Sequence, residues 1–256
     1  LGRDRADLSD PDACAALIRQ TRPAVVINAA GVHDPHLSAA DERNAMLVNA
    51  TAPGRMAEAC AQVGASIVHL SSADVFDGSG DLPWVPDDTP NPINILGQSK
   101  LAGETAIRNA GARHIILRTS WVISAHRNNI LKRLITRASG QSVIEVPADQ
   151  IGAPTTAFDV ARACQIAAMR LIEDRSLGGT YHYQGKPHVS LAEAAQWIIA
   201  AAGVTCDVVG VATDSPIQQP LNTRLDCMSS DTNLGLRAPD WKRGVNYILS
   251  DLAQAA

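Results

Sequence analysis

Lys100 lies four residues beyond Leu96 in the stretch Asn94-Ile95-Leu96-Gly97-Gln98-Ser99-Lys100, which reads as the opening of a helix, so both side chains share one face. A lysine one turn from a phenol lowers the phenol's pKa and can hold a ribose, and a hydroxyl such as Ser72 can polarise a substrate carbonyl. Here the residue one turn before the lysine is leucine, which has no proton to give. In isolation a helical lysine is most often a solvated surface charge. What distinguishes Lys100 has to come from the elements around it.

Short β-branched runs alternate with alanine-rich amphipathic stretches, the pattern of βαβ units around a parallel sheet, so the expected fold class is α/β. Strands are predicted at 24–28, 66–71, 113–119, 142–146 and 180–183, all covered on both faces. Helices are predicted at 11–20, 41–63, 93–110, 128–138, 156–173 and 190–202. The segment 74–92 is rich in Asp, Gly and Pro and too long for an ordinary connection. It is a candidate functional loop that enters its helix just after Pro92. Beyond Pro187 the alternation weakens, and 216–240 is polar and irregular before a last helix from Trp241. A smaller second lobe is expected there.

Ligands of open α/β sheets bind at the carboxyl ends of the strands. Those ends read Asn28-Ala29-Ala30-Gly31, Ser71-Ser72-Ala73-Asp74 and Arg118-Thr119-Ser120-Trp121. Small side chains there let a flat cofactor approach the backbone, although tight helix-to-strand packing accounts equally well for Ala29 and Ala30. Asp74, two residues past Ser72 at this edge, could itself move protons, but a solvated aspartate with an ordinary pKa of about 4 is a poor acid at neutral pH.

A chain of 256 residues, 46% hydrophobic, can bury a full core. Its net charge of -4 gives no basic field, which argues against nucleic acid and for a small metabolite. No apolar run approaches the roughly 20 residues of a membrane helix, and residues 1–10 are too charged for a secretory signal, so a cytoplasmic protein is expected. Five widely spaced cysteines without a CxxC pair read as buried thiols rather than disulfides or a zinc site, and no metal is expected.

Seven segments together resemble the dTDP-4-dehydrorhamnose reductases of the extended short-chain dehydrogenase/reductase superfamily. They are Asn28-Ala29-Ala30 (NAA), Val48-Asn49-Ala50 (VNA), Val75-Phe76-Asp77-Gly78 (VFDG), 97–104 (GxSKLAGE), 118–122 (RTSWV), 149–155 (DQIGxPT) and 222–226 (NSRLD), with a PDW pattern at 239–241 besides. The likeness runs over nearly the whole chain. It implies a Rossmann-like sheet with a smaller C-terminal substrate lobe. The implied nucleotide domain is 1–123 with 146–186, and the implied substrate lobe is 124–145 with 187–256. It also implies reduction of the 4-keto group of a dTDP-linked 6-deoxyhexose by NADPH or NADH. By motif match, Ser72 would polarise the carbonyl and Lys100 would hold the cofactor ribose. Asp7 and Leu8 would lie near the adenine, Ala29, Ala30 and Asn49 along the cofactor, and Trp121, Asn128, Asn129 and Arg224 on the sugar-nucleotide side.

The family's YGxSK reads Leu96-Gly97-Gln98-Ser99-Lys100 here, so the tyrosine that protonates the carbonyl oxygen is leucine. Asp74 and Ile123 stand at two further tyrosine positions, and Tyr181, Tyr183 and Tyr247 all lie outside the motifs. Family members also carry a first strand and a GxxGxxG turn for the pyrophosphate, which this sequence lacks. The expectation is that the sequence is truncated or that another segment or chain fills the gap, because strand 24–28 would otherwise be unpaired on one flank. The reductase reading therefore stands beside two others. One is an inactive binding module similar to the regulatory β subunit of methionine adenosyltransferase, and the other is a fragment of an active reductase. A homodimer or a regulatory partner fits either.

Overall fold

The computed structural model describes residues 2–34, 36–215 and 217–254. The chain opens with helix α1 (Pro11–Thr21), strand β1 (Val25–Asn28), helices α2 (Glu42–Met46) and α3 (Ala52–Val63), and strand β2 (Ser66–Ser72). Helix α4 (Ile95–Asn109), strands β3 (Arg113–Thr119) and β4 (Val122–Ile123), and helix α5 (Ile130–Ala138) come next. Strands β5 (Val143–Pro147), β6 (Ile151–Gly152) and β7 (Thr155–Thr156) lead into helix α6 (Ala157–Glu173). The last part holds β8 (Gly179–His182), β9 (Val189–Ser190), α7 (Leu191–Ala201), β10 (Asp207–Val211), α8 (Met228–Leu234) and α9 (Trp241–Gln254).

β1, β2, β3 and β8 form one parallel sheet in that spatial order. Alternate residues of β2 and β3 face opposite ways: Ile67 and Ile116 pack under α1 and α3, whereas Val68, Ile115 and Leu117 pack against α6. Helices on both faces explain why these strands read as continuous apolar runs. Among the described strands β1 has a neighbour on one side, and Ile27 on it is exposed. No helix among the described residues is long and apolar enough to cross a membrane.

The strand expected at 142–146 forms, but it is not part of this sheet. As β5 it pairs only with β10, and α5, α7 and α9 pack around Trp241 to complete a separate core. Its outward residues, such as Val143, are exposed, so it is covered on one face and not on two. The stretch expected to be irregular, residue 216 of which lies outside the described residues, contains α8, whose Leu234 packs beneath the main sheet. Cys206 also departs from expectation: it is half-buried where the other four cysteines are buried.

The helix expected at 41–63 is continuous but widens into a π-type turn at Leu47–Thr51. Pro53 has no N–H for the carbonyl of Asn49, so the ladder slips there. The freed Asn49 carbonyl faces α4 so closely that a methyl on Gly103 would come to 2.0 Å from it. Backbone cannot rotate away as a side chain can. Gly103→Ala is therefore expected to destabilise the protein by roughly 1–3 kcal/mol, read as a lower urea midpoint at unchanged slope.

Candidate active site

Parallel pairing brings the carboxyl ends of β1, β2 and β3 to one edge of the sheet. Asn28 ends β1: its Oδ1 accepts the amide N–H of Ala30 at 3.2 Å and turns the chain outward. Ala29 and Ala30 are exposed at this edge, so tight packing does not explain them. Asn49, aimed by the π-type turn, accepts from Val32 N at 2.8 Å and donates to Val32 O and to Ser99 Oγ at 3.0 Å each. It ties the loop after β1 to α4 and is fully engaged in doing so.

α4 starts at Ile95 and not directly after Pro92. Asn94 is extended, and its Oδ1 accepts the N–H of Gly97 at 2.8 Å, so a polar cap sets the start. Leu96 in the first turn is buried yet lies outside all four apolar clusters of the described residues. One turn on, Lys100 is buried as well, 6% exposed. Its ammonium lies 2.7 Å from where a methyl on Gly31 would stand. Burial pushes its pKa down to about 8, against the pull of Asp74 and Glu104, and no hydrogen bond to a described residue holds it. Lys100 is thus not the solvated surface charge that a helical lysine usually is.

Ser72 closes β2 and caps a short 3-10 turn, Ala73–Val75. Its hydroxyl donates to Asp74 Oδ2, and Asp74 N donates to Ser72 Oγ at 3.2 Å. Asp74 is not the solvated acid expected: it is half-buried, and burial raises its carboxyl pKa against the hydrogen bond from Ser72 and the charge of Lys100. His69, three residues before Ser72 on β2, is fully buried and bonded to Asn28 Nδ2 at 3.1 Å. Burial and the nearby Lys100 push its pKa to about 3, so it is neutral.

Beneath these groups lies a buried ion pair that sequence reasoning missed. Arg118 Nε and Nη2 donate to the two carboxylate oxygens of Glu104 at 2.9 and 2.8 Å, Ser71 Oγ donates to Oε1 at 2.5 Å, and Arg108 Nη2 donates to Oε2 at 2.8 Å. The cost of burying Glu104 is outweighed by these partners, Arg118 first, and its pKa is lowered. Arg118 also donates to Pro86 O at 3.2 Å and stacks over Phe76 at 5.0 Å, and Phe76 lies flat on Trp84 at 4.5 Å. The long loop after β2 is thereby anchored to the sheet. The signal was present in the sequence: an arginine inside an otherwise apolar strand of a doubly covered sheet requires a buried partner.

The remaining expected residues lie on other elements. Leu8 packs into the core between α1 and α3. Asp7 accepts from Ser9 N and Arg3 Nε at 2.9 Å each, which hold its carboxyl at about 2. Trp121 takes a left-handed backbone, φ 45°, and packs against Gly152 and the core around Trp241. Asn129 caps α5, accepting from Leu131 N at 3.1 Å, while Asn128 before it is exposed. Arg224 donates from Nε to Asn222 Oδ1 at 2.8 Å and makes no ion pair among the described residues.

The family model of the RmlD substrate binding domain matches residues 1–254. A dTDP-4-dehydrorhamnose reductase of Sinorhizobium fredii (strain NBRC 101917 / NGR234) is 31% identical over 97% of this chain and 87% of its own length. That of Escherichia coli (strain K12) is 33% identical over 96% of this chain and 85% of its own length. The crystal structure of dTDP-4-dehydrorhamnose reductase (rfbD) from Bacillus anthracis str. Ames in complex with NADP superposes with a TM-score of 0.87 at 28% identity. It covers 98% of this chain and 88% of its own.

Proposed function

We infer the function from one premise: this chain belongs to the family of the RmlD substrate binding domain. The reading it supports best is a nicotinamide-dependent reductase of the 4-keto group of a dTDP-linked 6-deoxyhexose, the activity after which its relatives are named. The observation that carries it is Lys100, a buried ammonium without a hydrogen-bond acceptor among the described residues, packed against Gly31 beside exposed Ala29 and Ala30. The hydroxyl groups of a ribose would supply that ammonium with acceptors.

Lys100 would hold the nicotinamide ribose, Ala29 and Ala30 would let the cofactor approach the backbone, and Ser72 would donate its hydroxyl hydrogen bond to the substrate carbonyl. A reduced nicotinamide, when bound, supplies hydride. Asn49 keeps the loop after β1 in register with α4, and the Glu104–Arg118 pair keeps the end of β2 in place. On the sugar-nucleotide side the proposal assigns Trp121, Asn128, Asn129 and Arg224. It divides the chain into a nucleotide domain at 1–123 with 146–186 and a substrate lobe at 124–145 with 187–256. Free cysteines are compatible with the reducing cytoplasm in which we place it.

Titrating the purified chain with NADPH, followed by turnover with a dTDP-4-keto-6-deoxy sugar, tests the reading. Saturable binding with measurable NADPH oxidation is expected. Absence of cofactor binding would overturn the reductase reading, and binding without any turnover would favour the regulatory-subunit reading that Leu96 suggests.

A further inference from the structure

Reducing a ketone takes hydride at carbon and a proton at oxygen, and with leucine at 96 the proton has no phenol to come from. The acid beside Ser72 is Asp74, joined to it by hydrogen bonds in both directions across the 3-10 turn. α4 closes on it from the other side: a methyl on Gly97 would come to 2.0 Å from Asp74 O. The first turn of that helix therefore rests on Asp74, with Lys100 one turn further along. Asp74 is half-buried at this edge, with its carboxyl desolvated.

We propose that Asp74 supplies the proton a tyrosine at position 96 would otherwise give, passing it to Ser72 while Ser72 gives its own hydroxyl proton to the carbonyl oxygen. One O–H bond forms on the substrate as one breaks at Ser72, and one re-forms at Ser72 as one breaks at Asp74. The two electrons enter with hydride at carbon. The Asp74 carboxylate then regains a proton from the Lys100 ammonium, which is recharged from solvent. Asp74 acts through Ser72 and is in that sense a positioning residue that also stores the proton.

The groups around this relay favour it. Asp74's carboxyl is raised by burial, and Lys100 at about 8 can part with a proton near neutrality. The other titratable groups that sense Lys100 are Glu104, held by Arg118, and His33 and His69, both kept neutral chiefly by burial. None of the three replaces Asp74 at Ser72.

The inference rests on the reductase reading, and the test separates the two on the full chain. NADPH affinity is measured by fluorescence, the aspartate carboxyls are titrated by carbon-13 NMR, and turnover is followed across pH. Loss of NADPH binding by the unaltered chain overturns the reductase reading and the relay with it. Given binding, Asp74→Asn is expected to lower kcat by at least about 100-fold with NADPH affinity within about threefold. One aspartate resonance should titrate above the ordinary range, vanish in Asp74→Asn, and move further up in Ser72→Ala, where the hydrogen bond that lowers it is lost. The rate should fall as pH rises through the raised Asp74 midpoint, and fall again near about 8 as Lys100 loses its proton. Leu96→Tyr should restore most of the turnover lost in Asp74→Asn. Full turnover in Asp74→Asn, or an Asp74 midpoint at or below about 4, overturns the relay. If Asp74→Asn does not fold, the upward shift in Ser72→Ala decides alone, and its absence overturns the relay.

Discussion

Leu96→Tyr is expected to raise turnover with NADPH and a dTDP-4-keto sugar by at least about tenfold, because a positioned general acid contributes roughly 10²- to 10⁴-fold. The backbone is ready for it: Leu96 sits in the capped first turn of α4, one turn before Lys100. Its side chain belongs to no apolar cluster among the described residues, so the exchange leaves each of those cores intact. Lys100 stays protonated below about 8 and would there favour the phenolate left after proton transfer. The gain should survive alongside the Asp74 relay, since a phenol gives its proton in one transfer where the relay needs two. It should also be larger in Asp74→Asn than in the unaltered chain, a coupling that a double-mutant cycle measures. No gain despite confirmed NADPH binding would mean that position 96 does not face the carbonyl.

Arg118→Ala is expected to cost about 3–5 kcal/mol, since it leaves the fully buried Glu104 carboxylate without its principal partner. For a chain of this size that lowers Tm by roughly 6–20 °C. Arg108 cannot compensate, because it reaches one carboxylate oxygen from a partly exposed position. Replacing both partners, Glu104→Leu with Arg118→Met, should cost less than the single change, because no uncompensated charge remains. Acid should weaken the unaltered protein in the same way. Glu104's folded pKa is depressed, so its contribution is full above the unfolded value of about 4.5 and is lost as pH falls through the folded one. Thermal unfolding of the three proteins across pH checks all of this. A double variant less stable than Arg118→Ala would count against the buried-charge explanation.

The α/β class and the members of the main sheet were legible in the sequence because doubly covered parallel strands must be apolar along their length, and those at 24–28, 66–71, 113–119 and 180–183 form as read. Strand 142–146 has the same local composition but a different partner, and nothing within five residues says which sheet will take them. The helix at 41–63 was legible as a helix but not as one with a π-type turn, since the slip depends on Pro53 meeting the close approach of α4. Of the site, Ser72, Leu96 and Lys100 could be named from motif spacing alone. The buried Glu104–Arg118 pair could not be matched, because its members lie on a helix and a strand whose packing sets their partnership.

The leucine one turn before Lys100 is a matter of sequence, and so is the loss of a proton donor there: no folding changes what a leucine side chain can do. Whether the site still holds an acid was decided only by the tertiary structure. Asp74 on its own is an ordinary aspartate, and what raises it is burial at the end of β2, where α4 packs on its backbone. Desolvation depends on what surrounds a group and not on what it is, so residue type and spacing alone could not show it.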